Sequence, residues 1–282
     1  MRSLPKPNLV VDSIVDDCVR SVQDHDLKNR LRQAKQSIAS AAQIYDGHGA
    51  AGSLYLIAGG ETVDTVSAVE MEKLYKQTFV KSKRTRPIYS SLKKACKNDI
   101  CPLCGQRTVH QLDHYLPVSQ HPVLAVTPIN LVPACSECNK EKLDHGPETA
   151  EEQTLHPYFD NLAQVRWLYA EVQQTQPVSL TFRVSPPADL GDVMKARILG
   201  HFTTFKLGQL FASHAAEELG NIRYGLEVLA SNSGAAAMDE LRGHLRRESE
   251  SRAFVHQNAW QTAMYEALAQ SDWFCAGGYR QE

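Results

Sequence analysis

Two Cys-x-x-Cys pairs, "CPLC" at 101–104 and "CSEC" at 135–138, bracket the stretch "HQLDHYLPVSQHP" at 110–122. Four thiolates on two such knuckles are the donor set of a closed, tetrahedral Zn²⁺ site with Zn–S bonds of ~2.3 Å. A site of that kind is structural. It accounts for Cys101, Cys104, Cys135 and Cys138 and for nothing between them. Asp113 and His114 are left over, side by side. The first is a hard oxygen donor for a divalent cation, and the second is a proton acceptor near neutral pH. A lone pair of this kind is ordinarily a surface turn with a satisfied histidine, and only its frame gives it more meaning.

The frame is legible in the neighbouring residues. Gly105 follows the first knuckle and suits its tight turn. Val109 and Leu112 predict a strand that ends at Asp113 and His114, with Pro117 breaking its continuation. In "TPINLVPACSECNKEK", Asn130 falls in a loop, and a short helix starting near Cys135 carries Asn139 in its first turns. Two strands, a loop and a helix, closed at the base by zinc, would hold the three polar groups together.

The rest of the chain bounds the setting. Of 282 residues, 43% are hydrophobic and 22% charged, ordinary values for a soluble globular protein able to bury a core. Neither a signal-type h-region nor an apolar run near the ~20 residues of a spanning helix is evident, which predicts a cytoplasmic protein with no membrane partner. Seven cysteines, four of them in paired knuckles, read as metal binding in a reducing compartment, leaving Cys18, Cys96 and Cys275 as isolated thiols. Net charge is −2, yet residues 73–97 hold nine Lys or Arg and no acid, so the remainder sums to −11. This basic stripe ends just before Cys101; its plainest reading, lysine by lysine, is a solvated loop, and as a group it reads as a phosphate-binding footprint.

Helical periodicity predicts two helices over 9–47, with Asp26 as an N-cap, then another from about Val66 to Phe79 and a short one around Tyr89 to Cys96. "SLYLIAGG" fits a short strand or a turn of helix. "VRWLYAEVQQTQPVSLTFRVS" alternates about a Gln-Thr-Gln-Pro turn and predicts a hairpin. Met194, Ile198, Phe202 and Phe205, and again Trp260, Met264 and Leu268, form apolar helical stripes that belong to a core. Residues 47–52, "GHGAAG", match G-x-G-x-x-G only literally, because a helix precedes them where a dinucleotide site needs a strand. No Walker A motif occurs, so any ATPase chemistry would lie on another chain. The expected architecture is α+β: a helical region at 1–98, a zinc-stapled module at 99–160, and a hairpin plus helices at 161–282.

In this order, "CPLCG", "LDHYLP", "NLVPAC" and "CNKEK" resemble the HNH nucleases of the ββα-metal class, in the version stapled by a four-cysteine zinc and similar to nucleases of bacterial prophage and defence loci. The resemblance covers the module and not the flanks. It implies that His114 is the general base, that Asp113 and Asn139 hold one Mg²⁺ or Mn²⁺, and that Asn130 braces the loop and orients His114. Lys142 is a candidate phosphate contact, and Lys83, Arg84 and Arg86 are candidate DNA-backbone contacts. Asn139 stands where the literal motif has a third His, a departure shared with phage junction-resolving nucleases. His110, His121 and His145 read as surface or supporting residues, and "LHPYFD" at 155–160 as a closing segment with no role assigned to His156.

The resemblance thus implies a DNA endonuclease, with a role in anti-phage defence or a mobile element and control by a partner such as an NTPase or sensor. A homo-oligomer is left open. Two rivals remain at this point: a non-catalytic zinc module that binds nucleic acid or protein, and the same chemistry on RNA or branched DNA.

Overall fold

The computed structural model describes residues 1–142 and 146–280. The chain divides into two compact units, Met1–Asn161 and Leu162–Glu282. Both are mainly helical, and each sheet among the described residues is a two-stranded antiparallel pair, so the class is α+β.

The first unit begins with α1 (Val11–Ser21) and the long α2 (His25–Ala51). The N-cap of α2 is Asp24, whose carboxylate accepts from the Leu27 amide at 3.0 Å; the expected cap, Asp26, lies in the first turn and pairs with Arg30 instead. The helix ends at Gly52, whose φ of 67° is the left-handed cap that a glycine adopts without strain. Three residues earlier, a Cβ on Gly49 would come within 2.4 Å of the Phe159 ring. The glycine-rich hexapeptide is therefore a helix end packed on an aromatic ring. Beyond it, "SLYLIAGG" forms a single 3-10 turn at Leu54–Leu56.

A small hairpin, β1 (Thr62–Val63) and β2 (Val66–Ser67), leads into α3 (Ala68–Lys73), which starts with a reciprocal Ser67–Glu70 capping box. Val66 is thus in a strand, and the expected helix starts two residues later. Glu70 also takes a two-pronged bond from Arg30 at 2.9 and 2.6 Å, and that guanidinium holds its pKa down at about 2.

From Leu74 to Phe79 the helix widens into a π turn, marked by the Val80 amide bonding to Tyr75 O at 3.0 Å. The Thr78 hydroxyl donates to Leu74 O, taking the carbonyl that a regular i−4 ladder would use. The next helix, α4 (Arg86–Lys93), begins earlier than expected, with Pro87 in its first turn, where a missing N–H costs nothing.

The strands β3 (Gln111–His114) and β4 (Leu131–Ala134) and the helix α5 (Ser136–Lys142) complete this unit. One buried apolar cluster draws on Ile14 and Val15 of α1, Leu31 and Ile38 of α2, Phe79 of the π turn, Leu112 of β3 and Leu131 of β4. The N-terminal helices and the cysteine module therefore share one core, and burial of that core fixes where the ends of β3 and α5 lie.

In the second unit β5 (Leu168–Gln173) and β6 (Ser179–Val184) form the expected hairpin, with Leu168 opposite Val184. The helices α6 (Asp192–Thr204), α7 (Leu207–Ser233), α8 (Ala237–Val255), α9 (Trp260–Gln270) and α10 (Asp272–Cys275) follow. Trp260, Met264 and Leu268 are all buried, as are Ile198 and Phe205 of the other stripe. No helix among the described residues is long and apolar enough to cross a membrane.

Candidate functional site

The two knuckles come together at the base of the module. One ligand atom each from Cys101, Cys104, Cys135 and Cys138 lies within 4.8 Å of the others, and all four residues are buried. A tetrahedron of ~2.3 Å bonds has edges of about 3.8 Å, so the donor set fits one soft, four-coordinate ion. The knuckles are shaped for thiolates: the Arg107 amide points at Cys104 Sγ at 3.4 Å and the Cys138 amide at Cys135 Sγ at 3.3 Å. Gly105, with φ of 68°, makes the tight turn of the first knuckle, its amide bonding Cys101 O at 2.8 Å. Arg2 lies across the same knuckle, donating its guanidinium to Gly105 O at 3.0 Å and its amide to Pro102 O at 2.7 Å. Four thiolates around a divalent ion carry excess negative charge, and a guanidinium beside them offsets it. Cys18, Cys96 and Cys275 are buried elsewhere, and burial pushes the Cys18 thiol up to about 12 and that of Cys96 to about 11.

From that base β3 and β4 run antiparallel, with Asp113 opposite Val132 and His114 opposite Leu131. Strand alternation sends neighbouring side chains to opposite faces. Because β3 stops at His114, Asp113 and His114 nevertheless open onto one cleft of about 530 Å³, which Asn139 and Lys142 of α5 also line. The far wall comes from Glu72 and Lys76, on either side of the junction between α3 and the π turn, and from Tyr75.

His114 is held on two sides. Its Nε2 lies 2.8 Å from Ala125 O, and since a carbonyl can only accept, Nε2 carries the proton and Nδ1 is the basic nitrogen of the neutral ring. The Tyr75 ring also meets the imidazole edge to face at 4.4 Å. Burial, with smaller contributions from Tyr89 and Asp113, pushes the Tyr75 phenol well above its ordinary range, so the ring stays neutral.

Asn130 does not line the cleft. It is fully buried, accepts from the Leu116 amide at 2.8 Å and donates to Leu116 O at 3.0 Å, while its own carbonyl receives the Tyr115 amide. It ties both ends of the 115–130 loop, and that loop presents Ala125 to His114. Lys142, the candidate phosphate contact, lines the cleft and is nearly buried. Its Nζ lies 3.2 Å from Asp113 Oδ2 and donates to His114 O, with 8% of the side chain exposed.

Lys83, Arg84 and Arg86 are exposed, on the turn before α4 and at its start, and none of them lines the cleft. Arg86 is fixed by a bond to Val80 O at 2.9 Å and by stacking over the Tyr89 ring. Lys76, by contrast, stands at the rim, paired with Glu72. A second, wider cleft of about 890 Å³ is lined by Glu61, Glu148 and Glu152, which makes it unsuited to a polyanion.

His110 is exposed. His121 is buried, and that burial pushes its pKa down, so it is a core histidine and not a surface one. His145 lies outside the described residues. His156 is buried, accepting from the Tyr158 amide at Nδ1 and facing the Tyr45 hydroxyl at 3.0 Å through Nε2, so the closing segment is anchored to α2. Glu72, Tyr75 and Arg2 had not been singled out from sequence. Tyr75 and Arg2 reach the site through contacts with no short-range signature.

A four-cysteine metal site thus lies at the base of a ββα frame whose strand end and helix line one cleft. Residues 101–145 match the family model described as HNH endonuclease. Over 297 aligned residues the chain is 26% identical to protein ea31 of Escherichia phage lambda, covering 98% of this chain and 100% of that protein. No solved structure matches.

Proposed function

We propose that the protein is a metal-dependent endonuclease that hydrolyses phosphodiester bonds in DNA. The observation that carries this reading is the convergence of Asp113, His114 and Asn139 on one cleft, within the segment that matches the HNH family. The donors fit a hard cation: a carboxylate and a carboxamide oxygen face a cleft roomy enough for waters and a phosphate oxygen. When bound there, Mg²⁺ or Mn²⁺ would act as a Lewis acid on the scissile phosphate and its leaving oxygen.

The chain's own residues do the rest. His114 Nδ1 takes the proton from the attacking water, while Nε2–H to Ala125 O keeps the ring in the tautomer that can do so. Asn130 holds the loop that supplies Ala125. Lys142 neutralises Asp113 before a cation arrives and lies close enough to meet a phosphate oxygen once Asp113 is engaged. A zinc ion held by Cys101, Cys104, Cys135 and Cys138 would be structural, tying the first knuckle to the start of α5. Lys76 at the rim and the exposed Lys83, Arg84 and Arg86 take the DNA backbone without reading its sequence.

A place in a mobile element or in anti-phage defence belongs to the same proposal. A nuclease that reads only backbone endangers its host genome, so a regulatory partner, with the helical second unit as its docking body, belongs to the same proposal. The test is cleavage of supercoiled plasmid in Mg²⁺ or Mn²⁺ by the wild type and by His114→Ala at equal zinc content. Nicking by the wild type alone, abolished by chelator, is the expected result. Equal cutting by both proteins would overturn the assignment of His114, and no cutting by either, even with added cell extract, would overturn the nuclease reading.

A further inference from the structure

We infer that Tyr75, which lies outside the segment matching the HNH family, is a positioning residue that fixes the imidazole of His114; the inference rests on the nuclease reading of that site. The ring centroids are 4.4 Å apart at an interplanar angle of 69°, so Tyr75 walls one side of His114 while Ala125 O holds Nε2 at 2.8 Å. A hydrogen bond fixes the position of one ring nitrogen and constrains the tilt of the ring less. An aromatic wall restricts that tilt.

Tyr75 is itself immobilised, as a positioning residue must be. Its hydroxyl donates to Leu112 O at 3.4 Å, two residues before His114 on the same strand. Its ring stacks on Phe79 at 5.7 Å, and fully buried Phe79 meets Tyr89 edge to face at 6.3 Å. The π turn explains why the ring is there. With Thr78 taking Leu74 O, Tyr75 O bonds the Val80 amide, and Leu74, Thr78 and Phe79 all turn inward. Irregular turns of this kind concentrate at functional sites. Here the turn carries a side chain from the N-terminal helical region to the imidazole.

Tyr75→Phe and Tyr75→Leu separate the ring from the hydroxyl and from bulk. Misplacement of a general base by a fraction of an ångström to about 1 Å lowers turnover by about 10- to 100-fold. That is the expected loss of kcat in Tyr75→Leu on duplex DNA, with KM unchanged, while Tyr75→Phe stays near wild type. The second readout is the ¹⁵N shifts of the His114 ring in zinc-loaded protein free of Mg²⁺ and Mn²⁺ at about pH 8, above the ordinary histidine range. Wild type and Tyr75→Phe should show one Nε2–H tautomer, and Tyr75→Leu a mixture.

Unchanged nitrogen shifts and unchanged kcat in Tyr75→Leu would overturn the inference, as would equal losses in both variants. The shifts are read without substrate. A wild type that fails to cut DNA would therefore strike the nuclease reading, while the tautomer result still decides the role of Tyr75.

Discussion

Lys142 Nζ sits 3.2 Å from Asp113 Oδ2 and bonds the carbonyl of His114, so one ammonium clamps the end of the strand that carries both groups. The side chains are only 8% and 12% exposed, which distinguishes this ion pair from the solvated ones on the helices. Lys142→Met leaves a nearly buried carboxylate without its cation. We expect a loss of about 1–3 kcal/mol in unfolding free energy without divalent metal, partly recovered with millimolar Mg²⁺. Thermal unfolding with and without Mg²⁺ reads both terms, and a variant as stable as wild type and indifferent to Mg²⁺ would show that the pair is incidental.

Asn130 should matter to folding before it matters to catalysis. Its side chain satisfies the Leu116 amide and carbonyl inside the core, and Ala offers neither bond. Two buried backbone groups would be left unpaired, costing about 2–4 kcal/mol. Urea unfolding of Asn130→Ala checks this, with a fall in midpoint of 0.5 M or less contradicting it for an m-value of about 2 kcal/mol/M.

One zinc per chain is expected, released by a thiol-reactive mercurial in step with loss of near-ultraviolet circular dichroism. Cys138→Ala should lose the metal and the packing of β3 against β4, because metal binding and folding of such a site are linked. Elemental analysis of the purified chain decides it. Full near-ultraviolet signal in protein without metal would remove zinc from the account.

The basic stretch makes a quantitative prediction about salt. Each phosphate contact contributes about −0.9 to the slope of log K against log salt on duplex DNA. Replacing Lys83, Arg84 and Arg86 together by Gln should therefore flatten the slope by up to about 2.7 units. Fluorescence anisotropy across a salt series measures it, and an unaltered slope would return these residues to the solvated surface.

Much of the module was readable because its signals are short-range. The doubled Cys-x-x-Cys spacing gives the knuckles, Pro117 stops the strand after His114, and Asn139 follows the last cysteine by one residue. Alternation likewise gives the β5–β6 hairpin.

Other features are decided by contacts far apart in sequence. Tyr75 meets His114 across 39 residues of chain, from a π turn that no short-range pattern marks. The burial of His121 depends on how its loop packs, and Lys142 is drawn to Asp113 across the sheet and helix and not to solvent. The helix cap at Asp24 was missed because Asp26 also fits the pattern, and only geometry separates them. The glycine hexapeptide carried a false signal whose physical cause, a helix end against Phe159, is tertiary.

The central claim is that His114 removes a proton from water. Its most direct test is chemical rescue: single-turnover cleavage of duplex DNA by His114→Ala, with equal zinc content, as imidazole is added. The account predicts that cleavage falls by about 100- to 10,000-fold on substitution and is partly restored, in proportion to free imidazole base. Wild-type rates without imidazole would contradict it.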